Sequence, residues 1–420
     1  YPSFDYLFKD KIIYGLEMNS TNLLNNDCIL NIINERLIMK GLECFVLRGV
    51  HWERMLTKLR KELCLLNGNK SKEIHKYQPL INALAHQTFL NEYAFYYEQK
   101  EADYIQDILN SSSLIEENNI SILACYIPLH KVINKHPSLQ FYDSSDKQFN
   151  QLLTLQIKEP LEELRLSRSI KKIGSINNSV SQKVKSQYES NPYPRWFSGN
   201  LYQGNKNTLS QSINAEIAPN SLSLITSKNT VNILIAGCGT GLQIIQAQRY
   251  DNAQITAIDI SSASLSFAQR KINELGINNV EIFQMDILEV KLLEKEFDII
   301  ECCGVLHHMD SPRKGLRSLK EILHKNGLMR LSLYSELARQ DIIKARKYIK
   351  SLNIEPTEEK IRAFRKEVIS GDHPNLISLA NSGSDFFTTS ECRDLIFHYQ
   401  EHRFTMEEIE EELIANDLKF

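Results

Sequence analysis

A chain of 420 residues has room for two or three domains, each with a buried core. With 49 basic against 52 acidic side chains the net charge is −3 and the isoelectric point about 6.5, so no global field draws nucleic acid to it. Eight cysteines without a Cys-x-x-Cys pair fit a reducing compartment, and neither an apolar run of ~18 residues nor a basic-apolar leader is present, which points to a soluble cytoplasmic protein without membrane insertion. The first residue is Tyr1 rather than methionine, so a processed chain or a fragment is compatible with the sequence.

Residues 1–165 read as a mainly helical N-terminal region. Helical spacing runs over 29–39 and 53–66, with a short strand expected at 44–50. A stronger helix is expected over 79–97, with Ile81, Leu84, Ala85, Thr88 and Phe89 on one face. It ends in Tyr93, Phe95, Tyr96 and Tyr97, which suit helix-on-helix core better than a partner surface. Helical patterns continue at 103–110, 113–126 and 146–156 without a ~34-residue repeat.

Residues 166–230 read as a linker, because basic side chains such as Arg168, Lys171, Lys172, Lys183 and Lys185 stand among serines and asparagines. Within it lies Asn191-Pro192-Tyr193-Pro194-Arg195-Trp196. Two prolines fix two φ angles and bias the preceding residues towards extended backbone, so the segment is a stiff strap. Its aromatic faces suit a cation, worth ~0.5 to 2 kcal/mol, and Arg195 suits a carboxylate. Tyr193 and Trp196 either line a site or plug a gap between domains.

Residues 231–334 carry the most specific pattern. An apolar run from Val231 stops at Gly237-Cys238-Gly239-Thr240-Gly241, a strand, tight turn and helix start at which backbone amides can face a ligand. A second strand ends in Asp259, 18 residues after Gly241, near the ~20-residue spacing at which a carboxylate meets a ribose. Further strands end in Asp286, run over 297–302 into Cys303-Gly304-Val305-Leu306-His307-His308-Met309, and run over 328–333 to Tyr334. Helical segments separate them, which describes a doubly wound parallel sheet binding a nucleoside at one edge. The third glycine stands one position too early for a dinucleotide fingerprint, and Asp286 suits an adenine amine. Residues 335–420 read as a helical insertion or lid over the site, with capping boxes at Thr388-x-x-Glu391 and Thr405-x-x-Glu408. The last strands of such a sheet are expected to be missing from this chain.

The motifs at 237–241, 258–261, 285–287, 297–300 and 305–309 resemble those of class I S-adenosylmethionine methyltransferases. The expected fold is therefore an α/β, Rossmann-like class I methyltransferase sheet with an additional helical N-terminal region and a helical C-terminal insertion. The strap, with Asp385-Phe386-Phe387, Ser390–Asp394 and 400–405, is similar to blocks of bacterial methyltransferases with helical N-terminal regions. Within that group the chain resembles rickettsial protein lysine methyltransferases that modify an outer-membrane surface protein.

The resemblance implies that Gly237, Cys238, Gly239, Thr240 and Gly241 hold the methionine end of S-adenosylmethionine. Asp259 with Ile260 would take the ribose, Asp286 with Ile287 the adenine, and Cys303 and Gly304 through His307 the floor near the sulfonium. Tyr193, Trp196, His307 and Tyr334 are the candidates on the acceptor side, His307 as a proton acceptor. The expected partner is a protein substrate, an outer-membrane protein before export, with no nucleic acid and room for a homodimer. No metal is expected, since adjacent histidines point apart and lack a third ligand at metal spacing. The alternatives are a small-molecule or RNA N- or O-methyltransferase and a non-catalytic cofactor-binding protein.

Overall fold

The computed structural model describes residues 2–17, 22–111, 116–196, 206–222, 230–382 and 385–420. The start of the helix expected over 113–126, and 197–205 and 223–229 of the expected linker, lie outside the described residues. The chain divides into two compact units, 1–161 with 341–397 and 162–340 with 398–420. The stretch read as one C-terminal insertion is thus shared between them. Among the described residues no helix is long and apolar enough to cross a membrane.

The first unit is helical. The strand expected at 44–50 does not form: a helix runs from Arg36 to Cys44, another starts at Val50, and Val46 and Val50 pack on a helical core that includes Phe364 and Phe386. The helix expected to reach Tyr97 stops at Leu90, where Glu92 and Tyr93 turn left-handed, both at φ 58°. The aromatics beyond the turn serve the core. The Arg60 guanidinium lies 4.2 Å from the Tyr126 ring centre and 5.7 Å from that of Phe95.

A second buried guanidinium ties distant segments of this unit together. Arg365 bonds Glu53 through two N–O pairs of 3.0 and 2.6 Å and donates to the Phe386 carbonyl at 2.7 Å. Burial pushes the Glu53 carboxyl up despite that partner. Removing the carboxylate strands a buried cation, so Glu53→Ala should destabilise the protein by about 3–5 kcal/mol, read as a lower denaturation midpoint.

The second unit holds a six-stranded sheet, all parallel: β1 Lys171–Lys172, β2 Val231–Ala236, β3 Ala253–Asp259, β4 Val280–Gln284, β5 Phe297–Cys303 and β6 Leu323–Ser332, in the order β1-β4-β3-β2-β5-β6. Ile233, Leu234, Ile235 and Ala236 of β2 are fully buried, as a central parallel strand covered on both faces requires. Strand order reverses at β2, so its C-terminal end opens a crevice between β3 and β5.

The expected linker is corrected by the structure, because part of it belongs to this sheet. Lys171 and Lys172 pair with Phe283 and Gln284 as an edge strand whose two side chains face solvent, which is why the basic run gave no apolar signal. Helix α1, Ser179–Ser190, follows, capped by the Asn178 side chain. Helices α2 (Leu242–Gln246), α3 (Ser262–Glu274) and α4 (Pro312–Glu321) complete the crossovers.

Candidate active site

The turn after β2 is built as the glycines predict, although for a different reason. Gly237, Gly239 and Gly241 have φ of 75°, 50° and 87°. A Cβ at these positions would stand 2.3 Å from Val305 Cγ2, 2.6 Å from the Tyr193 carbonyl oxygen and 2.8 Å from Ala268 Cβ. The protein itself, before any ligand, therefore excludes side chains here.

Asp259, 9% exposed at the end of β3, fastens the turn: it accepts the Gly239 amide and the Ser261 amide, each at 2.8 Å. Burial pushes its carboxyl up to about 6, with Glu189 adding to the rise. The Ile260 amide bonds it as well, so one of a carboxylate's four acceptor positions is left for a ligand hydroxyl. Asp286 caps the 3-10 turn that begins at Ile287, accepting from the Leu288 amide at 3.0 Å. Ile287 is buried and Ile260 half-buried. Cys238 is buried, and burial beside Asp259 keeps its thiol protonated. Cys303 is half-buried, and beside it Gly304 has φ 79° with nothing within 4 Å of an added Cβ, so the tip of β5 faces open space. A glycine turn backed by a buried carboxylate and facing an open strand tip fits a nucleoside-bearing cofactor.

The strap grips this turn from behind. Thr240, fully buried, gives its hydroxyl to the Pro194 carbonyl, and its own carbonyl accepts Trp196 Nε1 at 3.1 Å. The Trp196 ring, 8% exposed, packs with Ile245 and lies edge-on to Phe267 at 5.8 Å, with Lys271 Nζ 5.6 Å from its centre. Trp196 and the Thr240 side chain thus stand in packing positions. Tyr193 and Arg195 are half-buried, the Arg195 guanidinium 5.9 Å from the Phe267 ring centre. Sequence reasoning passed over Glu189, whose carboxylate accepts the Ser262 and Ala263 amides at 2.8 and 3.0 Å and so caps α3. Its signal was an acid following a long basic run.

His307 and Tyr334 do come together. Their rings stack at 3.6 Å and 21°, and Arg339 Cζ also stands 3.6 Å from the Tyr334 ring centre. Two groups cannot occupy the same face at that height, so Tyr334 is sandwiched and has no open face for a cation. His307 is 1% exposed, and neither ring nitrogen has a hydrogen-bond partner among the described residues. Burial, with His308, Arg339 and His402 adding positive charge, pushes its pKa down to about 2. The expectation of His307 as a proton acceptor is therefore corrected: at neutral pH it is a neutral imidazole and a weak base.

Residues 398–404 form the rest of this wall; the sequence marked 400–405 as a block but not its pairing with His307 and Tyr334. The His402 amide donates to the His307 carbonyl at 2.7 Å and the Phe404 amide to that of Tyr334 at 2.8 Å. His308 Nδ1 lies 2.8 Å from the Gln400 carbonyl, and its ring stacks on His398 at 3.6 Å. Arg339 forms a bidentate pair with the buried Glu401, at 3.2 and 2.7 Å.

The family model for a methyltransferase domain matches residues 227–378. The matched stretch holds β2 to β6, and its last part, 341–378, belongs to the first compact unit. The sheet is the Rossmann-like sheet of class I methyltransferases, and S-adenosylmethionine is the cofactor. An uncharacterized protein of Synechococcus sp. is 30% identical over 186 residues, 44% of this chain and 41% of that protein. The ubiquinone biosynthesis O-methyltransferase of Stutzerimonas stutzeri is 25% identical over 103 residues, 24% of this chain and 43% of the relative. The chain thus spans less than half the length of these curated relatives. The structure of PKMT2 from Rickettsia typhi in complex with AdoHcy has 19% identity and a TM-score of 0.41, covering 54% of this chain and 44% of that one.

Two outcomes follow from the turn. Trp196→Ala should cost about 3 kcal/mol of stability, seen in thermal melts, because it leaves a cavity behind the turn. Protonation of Asp259 removes the charge offered to a ribose hydroxyl, so calorimetric affinity for S-adenosylhomocysteine should fall as pH drops through about 6. In Asp259→Asn that pH dependence should flatten.

Proposed function

We propose that the protein is an S-adenosylmethionine-dependent methyltransferase whose acceptor is the side-chain amine of lysine in a protein, an outer-membrane surface protein modified in the cytoplasm before export. The observation that carries the methyl-transfer reading is the strap-braced glycine turn pinned by Asp259 within a matched methyltransferase domain. The cofactor supplies a methyl group on a sulfonium, and the C–S electron pair returns to sulfur as the acceptor's lone pair bonds carbon. The protein's part is alignment and exclusion of water, which can supply ~7–11 kcal/mol.

The lysine reading draws support from the Ile-, Asn- and Lys-rich sequence and the domain order, which are similar to those of rickettsial protein lysine methyltransferases. Local charge supports it too. A lysine must shed its proton before it can attack, and lowering its pKa from ~10.4 to near 7 takes roughly 4 kcal/mol. The positive charge of Arg339 beside His307 opposes the ammonium form. The same charge would favour the oxyanion of a phenol or other hydroxyl, so O-methylation of a small molecule is the second reading, in keeping with the printed name of the Stutzerimonas relative.

Incubation with methyl-labelled S-adenosylmethionine and a lysine-rich outer-membrane surface protein should place label on lysine side chains, located by peptide mass spectrometry. Label on small phenols alone would favour the second reading. Cofactor binding by calorimetry without transfer to either would indicate a binding protein.

A further inference from the structure

The cofactor brings two adjacent hydroxyls on its ribose, while Asp259, having taken the Gly239, Ile260 and Ser261 amides, has one acceptor position left. A diol held by the protein calls for a second acceptor at the tip of β3. The start of α3 shows where one stands. Three consecutive amides there are divided between two carboxylates: Ser261 donates to Asp259 at 2.8 Å, and Ser262 and Ala263 donate to Glu189 at 2.8 and 3.0 Å, one to each oxygen. Carboxylates that hold successive amides of one turn are close neighbours, and Glu189 accordingly disfavours the charged form of Asp259.

Capping alone does not account for this pair. Ser261 already serves α3 as N-cap, its hydroxyl accepting the Ser264 amide at 3.1 Å, and the two amides that remain could be met by neutral oxygens or by water. The helix dipole favours an acid at this end, yet Asp259 already supplies one. Glu189 is also more open than its neighbour. It is half-buried, whereas Asp259 is buried, and its two amide bonds leave two of four acceptor positions.

We infer that Glu189 is a cofactor-binding residue: it accepts the ribose hydroxyl that Asp259 has no position for, so that the diol is divided between a carboxylate on β3 and a carboxylate on α1. This rests on the methyltransferase reading above. Glu189 lies outside the stretch matched by the family model, near the end of α1 and two residues before the strap begins at Asn191. The strap closes on the glycine turn through the Pro194 carbonyl and Trp196, so the turn and the ribose bear on one continuous segment. Two carboxylates also set a specificity. They welcome hydroxyl donors and repel a ribose that carries a phosphate.

The test is calorimetric titration of the full chain with S-adenosylhomocysteine and with its 2′-deoxy and 3′-deoxy analogues, in the unaltered protein, Glu189→Gln and Asp259→Asn. In the unaltered protein each analogue should bind about tenfold more weakly or worse, since each loses a hydrogen bond to a charged group. In Glu189→Gln one of these penalties should shrink to about threefold or less while the other persists, and in Asp259→Asn the two should exchange. A residue that only caps α3 would weaken all three ligands in parallel and leave both penalties in place, and that result in Glu189→Gln would overturn the proposal. If Glu189→Gln does not fold, Asp259→Asn decides: one surviving penalty is expected, and loss of both would put the whole diol on Asp259 and overturn the proposal. Absence of either penalty in an unaltered protein that binds S-adenosylhomocysteine would overturn it while leaving the methyltransferase reading intact. Failure of the unaltered protein to bind S-adenosylhomocysteine at all would strike that reading, and this proposal with it.

Discussion

A single buried carboxylate holds the cofactor side of this protein together. Asp259 ends β3, yet its two oxygens take amides from the turn after β2 and from the start of α3. Three elements meet on one side chain, and burial raises the energy of its charged form. The turn it fastens is also walled by Val305, the strap and Ala268, so it has no slack. A rigid, preformed concavity is what a cofactor with a separated charge and ribose needs, since ordering on binding would subtract from affinity.

The side proposed for the acceptor follows another logic. There the constraint is stacking: a guanidinium, a phenol and an imidazole lie in succession, braced by a bidentate ion pair and by backbone bonds from residues 398–404. Aromatic layers of this kind fix direction without spending hydrogen-bonding groups, and the nitrogens of His307 remain unspent.

Much of the sheet was legible in the sequence because its signals are local. Val231–Ala236 is apolar without interruption, its strand stops at glycines that need positive φ, and Asp259 and Asp286 each end a strand or begin its following turn. Where the sequence misled, the deciding fact was distant or ambiguous. β1 is two exposed lysines whose strand identity depends wholly on pairing with Phe283 and Gln284. The run at 44–50 has β-branched residues, but these pack on helices. Trp196 in a stiff strap suits a cation site as well as a core, and its bond to the Thr240 carbonyl decides for packing. Residues 400–405 stood out only as a block similar to bacterial methyltransferases, and their place with His398 against His307 and His308 could not be read, since no periodicity links them.

The ion pair between Arg339 and Glu401 joins residues 62 positions apart, and this separation bears on how the protein is assembled. Everything that shapes the cofactor turn has been synthesised by the time β6 is complete, whereas the wall around His307 waits for the returning segment to leave the ribosome. Closing so long a loop is entropically expensive, though the cost grows only logarithmically with length. The intervening chain contributes its own apolar core, including Phe364 and Phe386, which shortens the effective loop once it collapses. The two parts therefore mature at different times, and a nascent chain can complete the crevice at the glycine turn well before the wall proposed for the acceptor exists.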